Sequence, residues 1–435
     1  MVFHCTQITK KLQIMTEDLL LKEFFNQERW TKAIEKGENK DINEQQLYQL
    51  CLPETRARMY QAIRDGIYVI APPHTALIPK DTPGEFRTVY INEPIDRILL
   101  SITNDILFDF MPEMISERCK SYQRGIGCGK VVKEVSKTIC DTKGDIIGFK
   151  SDLSKYFDSV PLEYIDGAFD KVEEKFGKSK LIDVVRGYYH SDWYFTPEGK
   201  LGKKFQSLKQ GCSVASWLAD VIIKHIDDKL SSLNGYYVRY SDDMIFVGPD
   251  YEKAMDILSS ELQKMQMKLN PKKVEYLTHD KWFKFLGFSI KGSSLSLSST
   301  RIKTFQKEIE RRTIKNRKTT YQKALNSVYR YLYKGDGQHS WATGILPVVN
   351  VRHDIDELNL FVMDCLRAVR TGKDKVGGLG YVRTQKEGCV TRGKGRNVRA
   401  NRDKVPHLDG YTSIGCMYNA LRTRRAAYNT LVAQL

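Results

Sequence analysis

The chain contains no uncharged apolar run approaching the ~20 residues that cross a bilayer. Its first stretch, MVFHCTQITKKLQIM, is broken by polar residues where an export signal would carry an apolar core. A soluble, intracellular protein, cytoplasmic and without membrane contact, is therefore expected. Nine cysteines stand singly, with no CxxC and no histidine at zinc-ligand spacing. That excludes both a zinc site and a disulfide framework and predicts reduced, mostly buried thiols. Internal repeats are absent too, which removes solenoids and propellers.

What is present is a 435-residue chain, 41% hydrophobic and 11% aromatic, long enough for two or three globular units. Its net charge of +16 is unevenly placed. Residues 1–300 hold 42 basic and 42 acidic residues, whereas residues 301–435 hold 27 and 11. A basic region joined to a neutral body suits a protein that grips a polyanion while another part does chemistry.

Apolar residues spaced three and four apart predict helices over residues 7–66, ending at glycines. Short apolar runs with Pro and Gly then predict a β-hairpin in APPHTALIPKDTPGEFRTVYI, turning at Pro83-Gly84. Residues 91–140 read as helical, broken by YQRGIGCGK. IIGFKSDLSKYFDSV reads as a strand entering a turn, and helical residues follow to about Tyr189. A polar hairpin turn, TPEGKLG, precedes a helix over residues 213–233. Next come strand, turn and strand in YYVRYSDDMIFVG, a helix over 251–269, and strand in WFKFLGFSI. Residues 301–334 place apolar positions on one face and eleven basic against two acidic residues elsewhere, predicting one or two amphipathic helices. Residues 371–404, rich in Gly and basic residues, read as loop.

The chemistry centres on Asp242 and Asp243, two like charges within an aromatic and β-branched run. Their repulsion is relieved if a divalent cation such as Mg²⁺ binds, since hard oxygen ligands suit it. Asp152 also ends an apolar strand. Two such strand ends side by side would converge three carboxylates able to hold two Mg²⁺ ions about 3.5–4 Å apart, as nucleotidyl transfer requires. Lys80 and Arg87 flank the hairpin turn symmetrically, so both could face one anion.

GFKSDLSKYFDSV, QGCSVASWLAD, YSDD, LNPKK and FLGF, with IPK…GEFR…DR before them, resemble in order the motifs of reverse transcriptases. The resemblance spans roughly residues 76–292 and is strongest to bacterial enzymes of the group II intron, retron and defence-associated "unknown group" kinds. It implies an α+β right-hand polymerase fold with fingers, palm (an antiparallel sheet backed by helices) and a helical thumb. The expected division is a helical extension over 1–75, fingers over 76–148, and palm over 149–292, with 161–205 partly a fingers insertion. A basic helical thumb and RNA-binding region over 293–435 completes it.

By the same resemblance, Asp152, Asp242 and Asp243 are the catalytic metal ligands, for two Mg²⁺ ions with Mn²⁺ as a substitute. Phe157 is the steric gate that rejects a 2′-hydroxyl. Lys80 and Arg87 contact the incoming triphosphate, Gln210 and Gly211 support template and nucleotide, and Lys273 lies near the leaving phosphate. Phe285, Leu286, Gly287 and Phe288 form the primer grip. The basic thumb, with Tyr321, Tyr329, Tyr331 and Tyr333 interleaved, is expected to meet phosphates and sugars.

The implied activity is RNA-directed DNA synthesis from dNTPs on an RNA template, a dedicated noncoding RNA in antiviral defence, with self-association allowed. An RNA-synthesising polymerase and an RNA-binding scaffold remain as alternatives. Four positions depart from the family: Ala215-Ser216 where Ser-Pro is usual, Asp220 where Asn is usual, and Ser241 where Ala is frequent. The acidic residues Asp354, Asp356, Glu357 and Asp364 form a patch unlike the spaced carboxylates of an RNase H domain.

Overall fold

A computed structural model describes residues 17–35, 42–80, 84–123, 125–204, 206–334, 340–372 and 408–423. The expected loop beyond residue 372 lies outside these, as do Pro83 of the hairpin turn and residues 1–16 of the helical extension. The chain divides into two compact units. One holds residues 1–124 and 148–276, the other residues 125–147 and 277–435.

Among the described residues eleven strands are formed: β1 (His74–Pro79), β2 (Phe86–Ile91), β3 (Gly148–Asp152), β4 (Trp193–Phe195), β5 (Leu201–Lys203), β6 (Tyr236–Tyr240), β7 (Asp243–Val247), β8 (Glu275–Leu277), β9 (Phe283–Phe285), β10 (Phe288–Lys291) and β11 (Ser294–Leu297). They build three sheets, ordered β2-β1-β4-β5, β6-β7-β3-β8 and β11-β10-β9.

In the first unit, helices Leu19–Phe24, Gln27–Glu35, Glu44–Cys51 and Pro53–Arg64 match the periodic N-terminal pattern. Asp18 caps the first by accepting from the Leu21 N–H, and Asn43 and Gln46 close a capping box on the third. Arg29 ties this layer to the helix Pro94–Phe110 through Asp109 at 2.9 Å. One contiguous core joins these helices to the sheet β6-β7-β3-β8, with Phe149, Phe246, Phe169 and Trp217 fully buried. Of that sheet's inner strands, β7 is buried from Met244 to Val247, whereas β3 carries Lys150 and Asp152 on one face.

The helix expected over 213–233 is two helices, Val214–Val221 and Lys224–Ser231. The break at Ile222-Ile223 carries no Gly or Pro, so the local sequence holds no sign of it. The hairpin β1–β2 forms as expected, with Ile78 opposite Arg87.

The second unit packs the helix Cys128–Asp141 with β9–β11 and the helices Ser299–Arg312, Tyr321–Tyr329 and Arg352–Thr371. The basic stretch is thus two helices, as one of the two expectations had it. Tyr321, Tyr329 and Tyr333 donate their hydroxyls to the carbonyls of Asp409, Gly410 and Thr412. Tyr331 packs beside Phe305 and Trp341. Apolar rings with one polar tip find partners inside their own unit. Arg311 and Arg312 are bound to Glu308, and Lys315 to Glu310, while Lys303 and Lys307 are exposed. Of the acidic patch, Asp354 accepts hydrogen bonds from Ser296 and Leu297, and buried Asp364 pairs with Arg367. No helix among the described residues is long and apolar enough to cross a membrane.

Candidate active site

Antiparallel pairing of β3 and β7 sets Asp152 directly opposite Asp243. β6 and β7 form a hairpin in which Tyr240 pairs Asp243, so Ser241 and Asp242 are its two-residue turn. Ser241 takes the left-handed conformation, φ 58°, that such a turn demands and that a small polar residue tolerates better than a bulky one. The Asp242 carbonyl accepts from the Leu153 N–H at 3.2 Å, tying the turn to the end of β3.

On the other side of Asp152 runs Lys268 to Lys273. Ser154 N–H donates to the Lys268 carbonyl and Asn270 N–H to that of Asp152, each at 2.8 Å. Asn270 then caps a 3₁₀ turn, Pro271–Lys273, its side chain accepting from the Lys272 N–H. LNPKK therefore folds so that Lys273 Nζ reaches Asp152 Oδ2 at 2.6 Å.

Charge crowding is visible in each group. Burial, then the charges of Asp152 and Asp243, raise the Asp242 carboxyl above its ordinary range. Burial also raises Asp243, against the opposing pull of Lys150, whose Nζ lies 3.7 Å from Asp243 Oδ1. For Lys273, burial lowers the ammonium's pKa, yet the hydrogen bond and charge of Asp152 leave it raised overall. Among the described residues no three acidic, thiol or imidazole side chains close into a finished metal cage. The expected convergence is met in part: Asp152 and Asp243 are side by side with Asp242 in the adjoining turn, and lysines bind the first two. Lys150 was not anticipated, although its spacing from Asp152 already puts both on one face of β3.

Phe157 lies five residues after Asp152 in a short helix, Tyr156–Ser159, entered through left-handed Lys155. It is half-buried against the core, edge-on to Tyr156, and its carbonyl accepts from Ser207 Oγ at 3.1 Å. Register places Lys80, Glu85 and Arg87 on one face of the β1–β2 hairpin. Lys80 and Arg87 are both exposed there, with Glu85 Oε2 3.6 Å from Lys80 Nζ. Gln210 accepts the Tyr90 N–H on its carbonyl at 2.7 Å. At Gly211, φ 105°, a Cβ would stand 2.6 Å from the Tyr90 carbonyl oxygen. Only glycine lets this loop lie so close to β2. In the second unit, Leu286 and Gly287 turn β9 into β10, both with positive φ. Arg301 donates to the Leu286 carbonyl at 3.0 Å and stacks on Phe288.

Beneath the Ser241–Asp242 turn is a buried network that sequence reading missed. Arg239, fully buried, forks onto Asp227 with contacts of 2.8 and 2.6 Å. Tyr237 donates its hydroxyl to the same carboxylate. Asp220 Oδ1 stands 3.8 Å from the Arg239 guanidinium and accepts from Ser121 Oγ at 2.5 Å. Its Oδ2 is buried without a partner, and burial pushes its carboxyl up to about 6. The Asp220 departure is thus part of an ion network that also contains Arg239 and Asp227. Another departure, Ser241, has its Oγ 3.5 Å from the Tyr122 hydroxyl.

Carboxylates thus stand on adjacent strand ends of an antiparallel sheet, with basic groups around them. The family of reverse transcriptases (RNA-dependent DNA polymerases) matches residues 78–290. Over those residues the chain has the fold of that family. Comparison with curated proteins returns no match.

Solved structures similar to this chain include telomerase from Candida albicans with a TWJ fragment of telomeric RNA, at 11% identity and TM-score 0.39. It is matched over 71% of this chain and 60% of its own length. Apo telomerase from Candida tropicalis matches at 14% identity and TM-score 0.41, over 69% of this chain and 57% of its own. The chain thus spans less than two thirds of these proteins.

Proposed function

We propose that this protein is a reverse transcriptase that makes cDNA by two-metal nucleotidyl transfer on a dedicated, structured noncoding RNA, in bacterial antiphage defence. One observation carries the chemistry: the β3–β7 register that sets Asp152 opposite Asp243, with Asp242 in the adjoining turn. The donor set fits Mg²⁺ or Mn²⁺, because crowded carboxylates are all hard oxygen donors and burial raises two of them, leaving negative charge that a divalent cation relieves. Asp152, Asp242 and Asp243 would hold the ions. Metal bound there supplies activation of a 3′-hydroxyl and stabilisation of the leaving pyrophosphate.

The chain's own residues do the rest. Lys80 and Arg87, exposed on one hairpin face, bind the triphosphate of the incoming dNTP as a point charge and a bidentate fork. Phe157 fills the space a ribose 2′-hydroxyl would need. Lys273 leaves Asp152 and turns its ammonium to the departing phosphate. Gln210 and Gly211 support template and nucleotide through the backbone that presses on β2, and Phe285 to Phe288 hold the primer end. The defence role and dedicated template rest on the likeness of the motifs to those of defence-associated bacterial enzymes, and a cytoplasmic site of action accords with both.

The decisive experiment compares the parent with Asp242→Ala for Mg²⁺-dependent dNTP incorporation on an RNA template, alongside RNA binding. Loss of incorporation with RNA binding retained is expected. Unchanged incorporation sinks the polymerase reading, and an inactive parent that still binds RNA favours a scaffold. Sequencing the RNA that copurifies tests the template: one dominant noncoding species is expected, and an unrelated spread of cellular RNAs argues against it.

A further inference from the structure

We propose that Arg239 is the positioning residue of the carboxylate turn, holding Ser241 so that Asp242 and Asp243 are presented for metal. The inference rests on the metal-ligand reading of those aspartates. A fully buried guanidinium is tolerated only if its charge and its five N–H donors are satisfied. Here they are distributed over three structural levels. Nε and one Nη2 hydrogen go to Asp227, the other Nη2 hydrogen to the Asp220 carbonyl at 2.8 Å, and Nη1 to the carbonyls of Ala219 and Ser241 at 3.2 Å each.

The backbone of Arg239 is fixed as well. Its N–H donates to the Arg118 carbonyl at 2.9 Å, and its carbonyl accepts from Lys120 N–H at 2.8 Å. Two of these anchors, the Ala219–Asp220 helix end and Asp227, belong to the helices on either side of the Ile222-Ile223 break. The bond to the Ser241 carbonyl is the one that leaves the core and reaches the turn.

Ser241 holds a left-handed conformation, φ 58°, directly before Asp242 and Asp243. A bond from a rigid, fully engaged fork opposes the tendency of that turn to flatten and separate the carboxylates. Lysine at 239 keeps the charge for Asp227 but has no planar fork to reach both Asp227 and the Ser241 carbonyl. Asparagine at 227 keeps size and an acceptor but releases the fork's charged partner.

Mn²⁺ binding to the full-length apo protein, read from loss of the free-ion electron paramagnetic resonance signal, separates the cases. R239K is expected to weaken binding about 10- to 100-fold, as loss of a partner that orients metal ligands does. D227N should shift it in the same direction by a smaller factor. At saturating Mn²⁺ both variants should recover the parental KM for dNTP, so the defect lies in metal occupancy. D242A is the control. If D242A binds Mn²⁺ like the parent, the metal-ligand reading itself fails. If D242A loses binding while R239K and D227N, folded by circular dichroism, keep the parental Kd, Arg239 is only a core residue and the proposal is overturned. Should R239K not fold, D227N carries the same test.

Discussion

Lys273 Nζ donates a 2.6 Å hydrogen bond to Asp152 Oδ2, an ammonium held on a carboxylate proposed to bind metal. The same lysine therefore competes with a cation for Asp152 and, in the proposed cycle, serves the leaving phosphate. Lys273→Ala should separate these roles. Mn²⁺ affinity of the apo protein is expected to rise severalfold, while the dNTP incorporation rate falls roughly 10²-fold, the scale of a lost proton or charge donor. Binding by electron paramagnetic resonance and single-turnover incorporation read the two arms, and weaker metal binding in this variant would contradict the competition.

Phe157 is half-buried beside the end of β3, its carbonyl fixed by Ser207. Phe157→Ala should raise rNTP use relative to dNTP by roughly 10- to 100-fold, the range a shape-limited pocket provides. The ratio of kcat/KM values for matched nucleotide pairs checks it. An unchanged ratio points to the RNA-synthesising alternative.

Asp220 has a folded-state pKa near 6, raised by burial from its ordinary 3.8. The folded protein then holds this proton more tightly than the unfolded chain, so its contribution to stability is present at low pH and declines as pH rises from about 4 to about 6. Asp220→Asn should remove that decline. Above pH 6 the variant should exceed the parent by on the order of 2–3 kcal/mol, at 1.36 kcal/mol per unit, and below pH 4 the two should converge. Denaturant melts at pH 4, 5, 6 and 7.5 measure it, and a pH-independent difference would rule the mechanism out.

A methyl group at Gly211 meets the Tyr90 carbonyl and Val89 in a positive-φ backbone. Gly211→Ala is expected to cost about 2–4 kcal/mol, from overpacking plus left-handed strain. Urea unfolding reads the loss, and because β2 carries Arg87 the KM for dNTP should rise with it.

Much of the site was legible because its chemistry is local. Asp242 and Asp243 interrupt an apolar alternation that pairs as β6 and β7, and Asp152 ends another that pairs beside them. The Pro-Gly signal likewise located the hairpin that carries Lys80 and Arg87, and helical periodicity located the basic helices Ser299–Arg312 and Tyr321–Tyr329. What escaped depends on contacts distant in sequence. Arg239 in YYVRY and Lys150 in GFKSD were each a charge inside a buried strand, a signal that was present but could not name its partner. The break at Ile222-Ile223 has no local breaker. The hydroxyl partners of Tyr321, Tyr329 and Tyr333 escaped because helix periodicity cannot reveal carbonyls 79 to 88 residues away.

Those tyrosines have a consequence for how the chain survives damage. Together with Tyr411 on Asn359 and Tyr418 on the Val349 carbonyl, they stitch the segment around residues 408–418 to helices that precede it by dozens of residues. Loss of any one of these hydroxyls leaves the segment still held by the others, so damage at a single ring does not release it.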